Sequence, residues 1–201
     1  MQPISESRRA VLAGAMLATA AVGLSAPGLA RAGAPVAGPP GQPPAPPAGL
    51  GDFDFFMGAW TTRHHRLVGR LVGSTTWQDF DGRLTAQKIQ GGQGNMDDGV
   101  LHLPAGTYWG TTIRFFDPAQ RTWSIYWLDS RDPKLDSPMV GGFDGRHGLF
   151  YGDDTLDGRP VKVRFLWQDL DPTHCRWEQA FWDPRRGDWE TNWVMLHTRA
   201  A

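Results

Sequence analysis

Four polar residues share a predicted strand face with tryptophan or other apolar side chains: His64, Gln179, Thr191 and His197. Alternate residues of a strand point to the same side of the sheet, which places these four on the more apolar side of their strands. A face that combines indole rings with a few polar groups is typical of a small-molecule site. We therefore predict that these residues line an interior ligand-binding site.

His64 is the candidate catalytic residue. Its imidazole can donate or accept a proton near neutral pH, which is what general acid–base catalysis requires. The neighbouring His65 points to the opposite face, so the two rings cannot bind one metal ion. No other spacing of His and carboxylate residues resembles a zinc site, and no metal is predicted. The alternative is that His64 is an ordinary buried histidine.

Ten tryptophans supply the apolar part of the candidate site. Flat indole rings suit an aromatic or conjugated ligand. The alternative is that the indoles simply fill the interior. Together with Gln179 and His197, the predicted ligand-binding residues are Trp77, Trp109, Trp127, Trp167 and Trp193.

Three functions are compatible with these residues. The first is binding of a small apolar or aromatic molecule, with His64 and Gln179 fixing its polar end. The second is a cofactor-free lyase, isomerase or hydratase that uses His64 for acid–base chemistry. The third is haem binding through His197; apart from this alternative, no cofactor is predicted. Nucleophilic catalysis is not indicated, because the chain has neither a Gly-x-Ser-x-Gly motif nor a phosphate-binding loop.

The strands that must position these residues are indicated by a sequence motif that occurs three times: Asp-Pro, four residues, then Trp. It begins at Asp117, Asp171 and Asp183. Asp followed by Pro starts a turn, because Pro restricts φ and the Asp side chain can bond to the backbone ahead. Aromatic residues on either side favour strands. The repeated motif therefore predicts strand–turn–strand units of a meander.

Asp-Gly pairs at Asp81, Asp144 and Asp157 predict further hairpins. The result is an all-β fold, a single antiparallel meander barrel of about ten strands, which can hold one small ligand. The two long predicted loops are 91–107 and 130–137, and Asn95, Asp97 and Asp98 in the first are candidates to gate the mouth. The predicted strands are 58–66, 73–80, 83–90, 108–116, 122–129, 138–143, 147–152, 160–168, 175–182 and 189–198.

The first fifty residues predict export rather than fold. Arg8-Arg9 precedes a short apolar run from Val11 to Leu24, and Ala30-Arg31-Ala32 is a suitable cleavage site, so residues 1–32 are predicted to be a twin-arginine signal peptide cleaved after Ala32. Residues 33–49 form a Pro-rich linker, and 50–201 form the barrel domain. We expect a periplasmic or secreted protein that meets the twin-arginine export machinery and keeps no stable membrane span after cleavage.

Charge and cysteine content narrow the choice of partners. The formal net charge is −1, and no block of Lys or Arg appears, so nucleic acid is not expected as a partner. The single cysteine, Cys175, excludes a disulfide within the chain.

The segment Phe53-Asp54-Phe55 is followed by Gly58-Ala59-Trp60, and Arg199 stands near the end of the last strand. This arrangement resembles the calycins, the superfamily of lipocalins and fatty-acid-binding proteins. The resemblance implies that Gly58, Trp60 and Arg199 are structural, with Arg199 stacked on Trp60 where the barrel closes.

The span 52–199 also resembles secreted bacterial lipocalin-like proteins of unknown function. That resemblance is carried by further motifs: Gly94-Asn95, Phe116-Asp117-Pro118, Trp123-Ser124-Ile125-Tyr126-Trp127, Tyr151-Gly152-Asp153-Asp154 and Trp177-Glu178-Gln179-Ala180-Phe181. It implies a barrel fold and no particular activity.

Overall fold

The structure is a computed structural model, and it describes residues 48–200. The predicted signal peptide and most of the Pro-rich linker therefore lie outside the described residues. Within the described part of the chain, no helix is long and apolar enough to cross a membrane.

Ten antiparallel strands form one closed barrel, as predicted. Each strand pairs with its neighbours in sequence, and β1 pairs with β10, which places Trp60 opposite Arg199 and closes the cylinder. This architecture is consistent with the calycin-like fold implied by the resemblance. The strands are β1 (Gly58–Leu67), β2 (Trp77–Ile89), β3 (Gly94–Leu103), β4 (Gly106–Asp117), β5 (Thr122–Asp129), β6 (Met139–Asp144), β7 (His147–Leu156), β8 (Arg159–Asp171), β9 (His174–Asp183) and β10 (Asp188–Arg199).

The three Asp-Pro turns are confirmed, and each is held by the Asp carboxylate. Between β4 and β5, Asp117 Oδ1 accepts hydrogen bonds from the backbone N–H groups of Ala119 and Gln120 at 2.8 and 3.1 Å. Asp171 and Asp183 accept equivalent bonds from the backbone two residues ahead. The side chain thus satisfies turn N–H groups that no strand can pair.

The predicted hairpin at Asp81-Gly82 is wrong, because β2 passes through both residues as one strand. A side chain at position 82 would collide with its neighbours, since a Cβ atom there would lie 2.6 Å from the Val100 oxygen, 2.7 Å from Thr62 Oγ1 and 3.0 Å from His64 Nε2. The glycine therefore admits the His64 ring against β2.

The predicted long loop 91–107 is also wrong, since most of it forms β3. Asn95 and Asp97 are buried on the inner face of β3 and do not gate the mouth. A turn at Asp81-Gly82 would divide β2 into two strands, so a prediction of ten strands that includes this turn contains no strand at the position of β3. The second long loop, between β5 and β6, is confirmed.

The predicted inner face of β10 is wrong for the first part of the strand, because β10 contains a bulge. The register with β9 shifts between Thr191 and Trp193, so strict alternation fails there. Glu190, before the bulge, and Asn192, within it, are buried. Thr191 is not among the residues that line the interior cavity described below. After the bulge the predicted face is correct, and Trp193 and His197 point inward.

One end of the barrel is closed by the chain that enters β1. The short 3₁₀ helix Asp54–Phe56 lies across this end and buries Phe53 and Phe56 in the aromatic core. The chain then turns into β1 at Gly58, where φ is 113° and a Cβ atom would lie 2.9 Å from Arg199 Nη1. Only glycine adopts such a conformation without strain, so Gly58 has the structural role expected of it.

Arg199 fastens the closed end. Its guanidinium carbon lies 4.2 Å from the centroid of the Trp60 ring, the stacking contact expected from the resemblance. The same group donates hydrogen bonds to the carbonyl oxygens of Phe55, Met57 and Pro172 at 2.7, 2.7 and 3.1 Å. One side chain thereby joins β10, the 3₁₀ helix and the turn between β8 and β9.

Candidate ligand-binding cavity

A cavity of about 270 Å³ lies inside the barrel, between the closed end and the opposite mouth. Its apolar walls come from seven strands, because every second residue of a barrel strand faces inward. The aromatic and methionine side chains on these strands are Trp127, Met139, Phe165, Trp167, Trp177, Trp193 and Met195.

Six of the eight predicted catalytic and ligand-binding residues line this one cavity: His64, Trp127, Trp167, Gln179, Trp193 and His197. The other two do not. Trp77 stacks on His65 outside the barrel, with ring centroids 4.3 Å apart, and Trp109 is 54% exposed. Both alternate with inward neighbours, Phe80 on β2 and Tyr108 on β4, which places their own side chains on the outer surface.

His64 uses both of its ring nitrogens inside the protein. Trp193 Nε1 donates a hydrogen bond to His64 Nδ1 at 3.2 Å, and His64 Nε2 lies 2.9 Å from Thr62 Oγ1. Because an indole N–H can only donate, Nδ1 is the acceptor and Nε2 carries the proton. The ring stacks on Phe80 at 4.5 Å. Burial, with a smaller contribution from the charge on Arg66, lowers the pKa of His64 to about 3, so the imidazole is neutral at pH 7.

His197 is buried among aromatic rings and has unused hydrogen-bonding capacity. Its ring centroid lies 5.3 Å from that of Phe56, 6.2 Å from Trp60 and 5.8 Å from Trp167. The Cys175 backbone is close enough to oppose the fall of its pKa, yet neither ring nitrogen has a hydrogen-bond partner among the described residues. Burial lowers the pKa of His197 to about 3.

A buried ion pair at the deep part of the cavity escaped the sequence analysis. Arg114 Nη2 lies 2.6 Å from Asp97 Oδ2, and the two side chains are only 2% and 6% exposed. Asn95 accepts a hydrogen bond from Arg114 at 3.0 Å, and Thr112 donates one to Asp97 at 3.3 Å. Burial raises the pKa of the Asp97 carboxyl, and the neighbouring Arg114 opposes that rise.

Three aromatic rings surround the Arg114 guanidinium. Its central carbon lies 5.0 Å from the ring centroid of Phe53, 5.2 Å from that of Phe56 and 5.4 Å from that of Trp167. Two nitrogens here lack a partner among the described residues, Arg114 Nε and Trp167 Nε1. We use the name deep end for the part of the cavity formed by Arg114, Trp167 and His197.

Gln179 is connected to the strand bulge. Its Nε2 donates a hydrogen bond to Asn192 Oδ1 at 2.8 Å, and Asn192 in turn donates to the Glu190 carbonyl oxygen at 3.4 Å. Glu190 accepts a bond of 2.7 Å from the backbone of Leu71, in the loop between β1 and β2. The amide of Gln179 therefore helps to anchor the bulged strand.

Charged side chains of both signs ring the mouth of the cavity. Arg66 lies over Trp193 at 4.7 Å and Arg131 over Tyr108 at 3.6 Å, while Arg131 also pairs with Asp129. Burial raises the pKa of Asp136, and nearby carboxylates add to the effect. Because arginines and aspartates are mixed at the mouth, its charge favours neither anions nor cations strongly.

Within residues 48–200, no group of three or more His, Cys, Asp or Glu side chains is arranged to hold a metal ion. Comparison with known proteins finds no family model that matches this sequence and no curated protein that is similar to it.

Proposed function

We propose that the protein binds a small aromatic molecule inside the barrel. The observation that supports this most directly is the cavity of about 270 Å³, whose walls carry four indole rings. Cavities for drug-sized ligands span roughly 300–1,000 Å³, and a cavity of about 150 Å³ admits benzene. The size therefore favours a compound of one or two rings over a long acyl chain.

Fluorescence of the tryptophans tests the proposal. One- and two-ring aromatic compounds, terpenoids and lipids are titrated into the protein, and a small aromatic compound should change the emission of the four tryptophans that line the cavity. A Trp193→Phe variant should lose a part of this signal, whereas Trp109→Phe, the same change on the outer surface, should keep it in full. Absence of any response to every small aromatic compound would contradict the proposal.

Thermal unfolding gives an independent readout. A ligand present at 100 times its Kd stabilises the folded state by about 2.7 kcal/mol. For a domain of this size that corresponds to a rise in Tm of roughly 5–11 °C. A compound that changes fluorescence without raising Tm quenches the indoles without binding to the folded state, and it does not count as a ligand.

Acid–base catalysis at His64 is the second candidate. Its support is the position of the imidazole in the cavity wall, but both ring nitrogens are engaged and the pKa is about 3. An imidazole of such low basicity is a weak general base at neutral pH. If a substrate is found, a His64→Ala variant that turns it over at the full rate removes this candidate.

Haem binding through His197 is the third candidate, and the surroundings of His197 give it little support. Aromatic rings lie against this side chain on three sides, and only 1% of its surface is exposed. The ligating nitrogen donates a lone pair that lies in the plane of the imidazole, so a porphyrin needs open space in front of that ring edge, and a side chain this deeply buried leaves no such space. We expect added haemin to give no shift of its Soret band, and a shift that His197→Phe abolishes would reverse this view.

Export by the twin-arginine route completes the proposal. Its support is the Arg8-Arg9 pair ahead of a short apolar run. In a bacterial host, replacing both arginines by lysine should leave the uncleaved precursor in the cytoplasm. Mass spectrometry of the exported protein should give an N-terminus at Gly33.

A further inference from the structure

The deep end of the cavity contains more hydrogen-bonding groups than the protein itself satisfies. Arg114 Nε and Trp167 Nε1 are donors without partners among the described residues, and the ring nitrogens of His197 have no partner apart from the nearby Cys175 backbone. An unpaired buried polar group costs roughly 1–3 kcal/mol, so several together in one place call for a bound partner.

The three side chains that carry these groups are neighbours. The Arg114 guanidinium carbon is 5.4 Å from the centroid of the Trp167 ring, and the Trp167 and His197 rings are 5.8 Å apart with an angle of 25° between their planes. All three side chains line the same cavity, and each is at least 97% buried.

The charge at the deep end selects among polar groups. The positive charge of Arg114 is already balanced by Asp97 at 2.6 Å, so a ligand anion placed here would face a buried carboxylate. A neutral oxygen meets no such repulsion. It can accept hydrogen bonds from Arg114 and Trp167, and the neutral imidazole of His197 can either donate a hydrogen bond to it or accept one from a hydroxyl group.

We propose that the deep end is a binding subsite for an uncharged oxygen function of the ligand, a hydroxyl or carbonyl group on an aromatic ring, held by Arg114, Trp167 and His197. This inference rests on the proposed function. It assigns the polar end of the ligand to residues other than His64 and Gln179. The ring nitrogens of His64 already form hydrogen bonds with Trp193 and Thr62, and the amide nitrogen of Gln179 forms one with Asn192.

Three probes that share one ring system test the subsite: naphthalene, 2-naphthol and 2-naphthoate. Their Kd values for the full chain are measured by calorimetry at pH 7. We expect 2-naphthol to bind most tightly. One or two neutral hydrogen bonds are worth roughly a threefold to tenfold gain in affinity, and the naphthoate anion should bind more weakly than the hydroxyl compound.

Two variants remove the proposed partners and keep an aromatic ring, His197→Phe and Trp167→Phe. Each should lower the preference for 2-naphthol over naphthalene by about threefold to tenfold, where the preference is the ratio of the two Kd values measured on the same variant. Trp109→Phe is the matched control on the outer surface, and it should leave the preference unchanged. If His197→Phe fails to fold, Trp167→Phe still decides the question.

The outcomes separate the two proposals. If none of the probes binds, the proposed function fails and the subsite fails with it. If naphthalene binds but 2-naphthol has no advantage, or the advantage survives in both variants, the cavity stands and the subsite is overturned, because water then satisfies the polar groups. Tightest binding by 2-naphthoate would overturn the assignment to an uncharged oxygen.

Discussion

Replacing Arg114 by Met should destabilise the barrel more than any change of a surface charge. The substitution keeps a long apolar side chain among the rings of Phe53, Phe56 and Trp167 but removes the only cation paired with Asp97 among the described residues. Asp97 is 4% exposed and would keep a single side-chain hydrogen bond, from Thr112.

The expected loss follows from the burial of the carboxylate. Removing one partner of a buried ion pair costs roughly 3–5 kcal/mol, since the remaining charge is left without compensation. For a domain of this size each kcal/mol lowers Tm by roughly 2–4 °C, so Tm should fall by roughly 6–20 °C. Urea unfolding followed by tryptophan fluorescence measures the free energy directly. Arg63→Met is the control, because Arg63 is 64% exposed and its ion pairs should be worth roughly 1 kcal/mol or less.

The pH dependence gives this prediction a second signature. Without Arg114, burial raises the pKa of Asp97 in the folded state still further above its unfolded value of about 3.9. An acid with a raised folded pKa binds its proton more tightly in the folded protein, so stability falls as pH rises from the unfolded towards the folded pKa. The deficit of Arg114→Met relative to the wild type should therefore shrink when pH is lowered from 7 to 5.

Adding Asp97→Asn to Arg114→Met removes the orphaned charge, and this double variant should recover most of the lost stability. A deficit below about 1 kcal/mol in the single variant, or an equal deficit at pH 5 and pH 7, would refute the view that Asp97 is a buried charge held by Arg114.

Three further predictions concern the histidines, Gly82 and the closed end. His64 and His197 both have pKa values lowered to about 3, so each should cost about 1.4 kcal/mol of stability per pH unit as pH falls below about 6.5; urea unfolding of His197→Phe from pH 7 to 4.5 should show about half the wild-type loss. Gly82→Ala places a Cβ atom 2.6 Å from the Val100 oxygen and should cost about 1–3 kcal/mol in thermal unfolding, whereas Gly51→Ala, whose nearest contact is at 3.5 Å, should cost little. Arg199→Leu removes three hydrogen bonds to backbone carbonyl groups, so hydrogen exchange of residues 53–58 should become faster than in the wild type, while exchange in the strand interiors changes less. An equal change in both regions would contradict the role given to Arg199.

The turn residues and strand alternation account for the parts of the fold that were predicted correctly. An Asp-Pro pair restricts its own backbone and supplies its own hydrogen-bond acceptor, so Asp117, Asp171 and Asp183 act in the same way in any surroundings. Asp81-Gly82 has the same letters as a hairpin turn, yet it lies inside β2 because Thr62 and His64 from β1 need the space that a side chain would fill. A local pattern cannot distinguish a glycine needed for a turn from one needed for close approach.

The same contrast applies to the candidate site. Alternation along β8 and β9 identified Trp167 and Gln179 as cavity residues, because both lie where these two strands pair regularly and side chains alternate between two faces. In β10 the bulge after Thr191 interrupts the alternation of inward and outward side chains, and nothing in the local sequence indicates a bulge there.

The sequence by itself determined that the chain forms an antiparallel meander rich in tryptophan, since turn chemistry and period-two alternation act over a few residues. Only the tertiary structure decided which polar groups meet inside it. Asp97 and Arg114 lie seventeen residues apart and become an ion pair because β3 pairs with β4 in one particular register. That register, and the cavity that closes around it, depends on all ten strands completing the barrel.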